Sequence, residues 1–220
     1  MDVSDLYGIL LERETRVKTW RGKALHGRFY NELHSPYVDK QASCTWLQRG
    51  TIYPETEGFA IAIQHQVVAT NNYKKLILKE ADAVDRRRKC GKNNETIAHI
   101  INGCSKLASE RYKARHDDVA KIIHQEIRKK LLKNAEPMEP YYKYTPNSVE
   151  ENDRYKILWD RTVRTDKEVT CNRPDIIIWD KKDKKIQLID VAIPYASNMQ
   201  STYEKKIGKY RQLSPQMGSM

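Results

Sequence analysis

Two aspartates, Asp175 and Asp190, stand at the outer ends of two short apolar runs in RPDIIIWDKKDKKIQLIDVAIP, residues 173–194. The lysine-rich stretch between the runs reads as a turn. A symmetric turn at Lys182–Asp183 pairs Ile177 with Leu188, Trp179 with Ile186 and Asp175 with Asp190. Directly opposed residues of an antiparallel pair have Cβ atoms about 4.5–5.5 Å apart. Side chains alternate faces, so the two acids share a face with Ile177, Trp179, Ile186 and Leu188. Like charges so placed repel, and partly buried charge is costly unless paired. A divalent cation answers both problems. Mg2+ binds through one or two carboxylates plus phosphate oxygens, and it can activate water for attack on a phosphodiester. An offset hairpin has a plainer consequence: one aspartate then lies in solvent and the other caps a turn. Pairing alone does not choose between the two.

Nucleases that work this way usually carry Asp-x-Lys on the second strand, and here the third residue is Ala192. The helix expected next, STYEKKIGKYRQL, offers a replacement. Tyr203, Ile207 and Tyr210 mark its apolar face. Lys206 lies about 60° around the helix from Tyr203 and flanks that face. Lys205 and Lys209 point further away and read as surface lysines. Lys206 is therefore the candidate to orient water or to stabilise charge on a reacting phosphate.

A second cluster lies upstream. Cys90, His99 and Cys104 follow the spacing C-x8-H-x4-C. Thiolate and imidazole are good zinc ligands, but a closed structural site takes four. The fourth ligand is expected three residues before Cys90, where Arg87 stands and cannot coordinate. Asp85 could serve only with a different loop shape. The cluster is either a weakened three-ligand zinc site or a set of thiols and a hydrogen-bonded histidine. The adjacent run Arg86, Arg87, Arg88 and Lys89 can neutralise phosphates, or it is a solvated turn.

The 220-residue chain has room for one large domain or two small ones to hold these residues. Its 40 Lys and Arg against 29 Asp and Glu leave a net charge of +11, which points to a polyanionic partner: DNA, or RNA. Four cysteines make no disulfide framework at this length, and the acidic N-terminus does not read as a signal peptide. No run approaches the roughly 18 apolar residues of a membrane span. An intracellular protein with no membrane partner is expected, where thiols stay reduced.

Helical spacing of Leu6, Ile9, Leu10, Val17 and Trp20 predicts a helix over 3–20, and shorter helices are expected over 39–49 and 56–71. Val119, Ile122, Ile123, Ile127 and Leu131 mark a long helix from about 107 to 132. His116, near its start beside Asp117, reads as a capping or structural residue. Three prolines within 133–153 predict a linker. Strands follow over 155–163, 176–179 and 186–191, then a helix over 201–213. The fold class is α+β. Its parts are a helical segment (1–84), a knuckle-like segment with the long helix (85–132), the linker, and an α/β core (154–220).

Taken in order, TWRGKALHG, ETEGFAIAIQHQVVATNNY, CGKNNETIAHIINGC, YKARHD, PYYKYTP, NRPDIIIWD, LIDVAIP and EKKIGKY resemble the C-terminal part of non-LTR retrotransposon polyproteins with a restriction-like endonuclease. The resemblance runs from about Lys18 to Leu213. It implies a reverse transcriptase partner domain upstream, a degenerate CCHC zinc knuckle, and a PD-(D/E)xK nuclease that nicks target DNA with Mg2+ or Mn2+. It implies metal-binding roles for Asp175 and Asp190, and a lysine moved onto the following helix, at Lys206. Tyr210 matches the second residue of that family's Lys-Tyr pair, here Lys209–Tyr210. Residues 1–84 resemble the segment joining polymerase to endonuclease. Where that family continues with another strand and helix, this chain ends at SPQMGSM, and it has no YxDD-like motif. The resemblance thus implies a truncated core in a fragment or degenerate copy. Such a product is either a target-nicking endonuclease or an inactive nucleic-acid-binding remnant, nuclear if it acts on chromosomal DNA.

Overall fold

Ile176, Ile177 and Ile178 lie at the centre of a four-stranded antiparallel sheet in the computed structural model, which describes residues 3–23, 25–49, 51–92, 94–133 and 137–217. The side chains of residues 3–11 and of Gln216 lie outside the described set, so the apolar roles of Leu6, Ile9 and Leu10 do too. The strands are β1 (Val149–Glu151), β2 (Tyr155–Trp159), β3 (Ile176–Asp180) and β4 (Lys185–Ile189), in the spatial order β1-β2-β3-β4. The β3–β4 hairpin takes the expected register, with Ile177 opposite Leu188 and Trp179 opposite Ile186. The last pair of the ladder is Ile176–Ile189, so Asp175 and Asp190 stand one residue beyond it.

The turn has local causes. The Asp180 carboxylate accepts the N–H groups of Lys182 and Asp183, each at 3.1 Å. Lys184 then takes a left-handed conformation with φ of 50°. Strand β2 ends earlier than its sequence suggests. Asp160 adopts φ of 46° and donates its N–H to the Asp175 carbonyl at 2.8 Å. Its carboxylate grips the Arg173 guanidinium at 2.7 and 2.6 Å. The loop between β2 and β3 is thereby pinned at the end of the sheet that carries the aspartates.

Both faces of this sheet are covered, which is why β3 is a continuous apolar run rather than an alternating one. On one face, Ile157, Ile176 and Ile178 pack against Ile123, Ile127, Leu131 and Leu132 of a long helix, Lys113–Leu132. On the other, Ile177, Leu158, Ile186 and Leu188 pack with Val163, Val169, Tyr210, Leu213 and Met217. These last three come from, or directly follow, the helices Met199–Lys209 and Leu213–Met217. Ile122, expected on the apolar face of the long helix, is 40% exposed. Ile157 is fully buried, so Ile157→Val removes one methylene from a filled site. It lowers stability by about 1 kcal/mol, read as a lower urea midpoint at unchanged slope.

The chain divides into two compact units, Met1–Lys106 and Leu107–Met220. The sequence suggested a boundary within 133–153. The division instead precedes the long helix, because that helix buries its apolar face on the sheet. Segment 137–153 is itself docked. Gln125 exchanges two 3.0 Å hydrogen bonds with the Glu139 backbone, and Tyr144 meets buried His124 at 2.6 Å. The segment also supplies β1, where Arg128 pairs with Glu150 at 2.6 Å.

The first unit is helical: Val3–Arg21, Arg28–Leu33, Lys40–Arg49 and Pro54–Gln64, then short turns of helix. Trp20 packs on Tyr30 and His65 with ring centres 5.2 and 5.5 Å apart. Its described core includes few apolar side chains, Ile97 and Cys104 among them, beside the fully buried carboxylate of Glu95. The whole is α+β: helices plus a small antiparallel sheet. Among the described residues no helix is long and apolar enough to cross a membrane.

Candidate active site and metal cluster

The peptide after Asp190 organises the aspartate end of the sheet. The Val191 N–H donates to Asp175 Oδ2 at 2.6 Å. The Val191 carbonyl accepts from Lys206 Nζ at 3.1 Å and from His116 Nε2 at 3.2 Å. The backbone of one residue, Val191, therefore ties Asp175, the first turn of the long helix and the C-terminal helix together.

Asp190 is 7% exposed, and its charge is answered three ways. Lys206 forms an ion pair with Oδ2. Lys209 Nζ reaches Oδ1 at 3.2 Å, and the Tyr210 hydroxyl donates to Oδ1 at 2.7 Å. Burial would raise the carboxyl pKa, but Lys206, Tyr210 and Lys209 together outweigh it and hold it below the usual range. Tyr210 is pushed up to about 12, by burial first and then by the neighbouring Asp190 charge. Its hydroxyl also contacts the Arg173 carbonyl at 3.2 Å, so it bridges β4 to the approach of β3.

Asp175 is less buried and takes different company. His116 Nε2 lies 3.3 Å from Asp175 Oδ2, and Nδ1 lies 3.0 Å from Asp117 Oδ1. All of these partners, the Val191 carbonyl included, are acceptors. Only the imidazolium, with both nitrogens protonated, satisfies them. Burial works against that charge, but the Asp117 hydrogen bond and the Asp175 charge prevail, and the His116 pKa is raised. Asp175 and His116 line one cavity, with Lys113, Lys121, Asp160 and Arg173. Asp190, Lys206 and Tyr210 line another, with Ile186, Leu188 and Tyr203.

The sequence singled out Asp175, Asp190, Lys206 and Tyr210, and the last three meet directly. Asp175 joins them through Val191. Lys209, read as a surface lysine, in fact pairs with Asp190 and lies 4.7 Å from the Tyr210 ring centre. Tyr203 and Ile207, expected on the apolar face of this helix, are 60% and 55% exposed, whereas Tyr210 is buried, so the helix meets the sheet end through Lys206, Lys209 and Tyr210. His116, read as a capping or structural residue, faces Asp175. Its only sequence signal was a histidine beside an acid, since its carbonyl partner lies 75 residues away. As for metal fit, Asp175, Asp190 and the Val191 carbonyl offer oxygen donors of the kind Mg2+ takes, but the two carboxylates line separate cavities, Asp175 beside His116 and Asp190 beside Lys206. The ammoniums now on Asp190 would give up part of that contact.

The second cluster forms as its spacing suggested. The ligand atoms of Cys90, His99 and Cys104 all lie within 4.8 Å of one another, and the three could hold a metal ion. Cys90 Sγ is 3.3 Å from His99 Nε2. A tetrahedral zinc places its ligand atoms roughly 3.3–3.8 Å apart, so the donors suit it. Asp85, the alternative fourth ligand, is paired with Lys75 at 3.1 Å instead. Of the basic run, Arg86, Arg88 and Lys89 are exposed. Arg87 turns inward to Glu95 at 3.0 Å, with its side chain 12% exposed, and is therefore withdrawn from phosphate contact.

Comparison with protein-family models, with curated proteins and with solved structures finds no match to this chain.

Proposed function

We propose that the Leu107–Met220 unit is a metal-dependent DNA endonuclease core of the restriction-like type, of retroelement ancestry, that nicks DNA. One observation carries this reading above the others. A buried carboxylate, Asp190, one residue beyond the hairpin ladder, meets a lysine of the next helix and the tyrosine at its C-terminal end, and a second carboxylate, Asp175, stands at the same end and accepts the Val191 N–H. A structural ion pair needs only one cation. Two ammoniums, a phenol and a second acid make a site suited to an anionic substrate.

In this reading Asp175 and Asp190 would hold a divalent cation, which would supply water activation and neutralise charge on the phosphate. Lys206 holds the attacking water or a phosphate oxygen, within reach of the Val191 carbonyl. Tyr210 and Lys209 keep Asp190 ionised and oriented. His116 is a positioning residue: it touches Asp175, and Asp117 fixes its ring. The net charge of +11 favours DNA as partner through phosphate neutralisation.

The test is nicking of supercoiled plasmid by the full chain with Mg2+ or Mn2+, and with EDTA. Metal-dependent conversion to open circles is expected. His116→Asn lowers the nicking rate about 10–100-fold and raises the Mg2+ concentration needed for half-maximal rate. A fall in rate with unchanged Mg2+ dependence would remove His116 from its positioning role.

A second reading has its own support. Asp190 is already saturated by Lys206, Lys209 and Tyr210. A remnant that binds nucleic acid without cutting would show salt-sensitive binding and no metal-dependent nicks.

A further inference from the structure

Arg87 occupies the sequence position of a metal ligand, and its surroundings give it another task. The loop around it is closed by backbone bonds alone. Arg87 N–H donates to the Lys92 carbonyl at 2.7 Å, and Gly91 N–H donates to the Arg87 carbonyl at 2.8 Å. Gly91 takes φ of +71°, which residues with a Cβ rarely adopt. These two bonds and the Gly91 conformation make a tight turn beside Cys90.

Glu95 then fastens this turn to the rest of the unit. Its carboxylate is fully buried. It accepts from the Arg87 guanidinium and the Arg88 N–H, each at 3.0 Å, from the Arg88 guanidinium at 3.2 Å, and from the Asn71 N–H at 3.2 Å. The Glu95 N–H in turn donates to the Asp85 carbonyl at 2.8 Å. The Arg87 guanidinium also contacts Cys104, one of the three candidate ligands. A permanent cation thus sits beside the donor set, where a four-ligand site would have a thiolate. A metal entering there meets like-charge repulsion and lacks a fourth protein donor.

We propose that the Arg87–Glu95 ion pair, and not a metal, closes the Cys90–Cys104 loop, leaving a three-ligand cluster that binds zinc only weakly. The pair does the work of a structural cation: it joins the turn to the segment that carries His99 and Cys104. This inference stands apart from the nuclease reading and does not share its fate.

Two variants of the full chain test it, read by zinc per chain and by hydrogen exchange of peptides spanning 85–104. In the wild type, EDTA leaves exchange protection unchanged and no zinc survives dialysis. Arg87→Cys restores a fourth ligand, so it retains one zinc per chain, at least about 100-fold more tightly, and loses protection on chelation. Glu95→Gln weakens protection of the loop at least about 10-fold, with or without zinc. Wild-type protein that keeps one zinc through dialysis and loses loop protection with EDTA would overturn the proposal. So would an Arg87→Cys chain that gains no zinc. If Arg87→Cys does not fold, Glu95→Gln decides alone: unchanged protection overturns the ion pair's role.

Discussion

If the Leu107–Met220 unit is the proposed endonuclease, Asp190→Asn is expected to reduce DNA nicking by the full chain at least about 1,000-fold, to the level expected with EDTA. Asparagine keeps the shape of the side chain and removes its charge. On the proposed nuclease reading it would no longer anchor a divalent cation, and its amide presents a donor to Lys206 and Lys209. The fold should survive the change. Both lysine side chains are about a third exposed, so their ammoniums can turn to water, and the stability cost is about 1–2 kcal/mol rather than that of a stranded buried charge. The matched control is Asp183→Asn. That acid is exposed and pairs with Arg154 at the opposite end of the hairpin, so nicking is unaffected. Lys206→Met lowers the rate about 100-fold. Nicking by a folded Asp190→Asn protein at the wild-type rate would end the active-site assignment.

How much of this arrangement was legible beforehand differs between the hairpin and its surroundings. The β3–β4 register was legible because its causes are local. Apolar residues flank a lysine-rich turn, and a one-residue slip would exchange the buried and exposed faces of β4. The end of β2 was not legible. Tyr155–Val163 is apolar enough to continue, and it stops because Asp160 finds Arg173 across the loop. The docked path of 137–153 was hidden for a related reason. Prolines announce the absence of helix, and they do not announce that Gln125 and His124 hold the segment to the long helix.

The candidate site shows the same division. Lys206 could be placed by helix geometry once the helix was assumed. Lys209 could not be separated from a surface lysine, because its role depends on where Asp190 ends. His116 and Arg87 were each read through neighbours in sequence, as a capping or structural residue and as part of a basic run. Each is defined by a carboxylate met in space, Asp175 and Glu95. Buried or half-buried acids choose their partners from the assembled fold, and such choices leave little trace in the order of residues.

Glu95 makes the first unit acid-labile, with a magnitude that can be stated. Burial pushes its carboxyl up. The Arg87 side chain, the Arg88 N–H and guanidinium and the Asn71 N–H outweigh that and hold the folded-state pKa at about 2, against 4.5 for an unperturbed group. A depressed folded-state pKa means that the unfolded chain takes up the proton first. The stabilisation is therefore complete above about pH 4.5 and is lost as pH falls toward 2. Its size is about 3 kcal/mol. The exposed Arg88 side chain supplies little of this, and the largely buried Arg87 side chain supplies more. Comparison with Glu95→Gln isolates the effect, because glutamine resembles the protonated acid and all other carboxylates cancel. Urea unfolding of the two proteins should differ by about 3 kcal/mol at pH 6, and the gap should close by about pH 2. A gap that stays constant across this range would mean that shape, not charge, is what Glu95 contributes. With few apolar side chains in the described core of that unit, this one charge is a large share of what holds the loop, and loop opening is expected as pH falls toward 2.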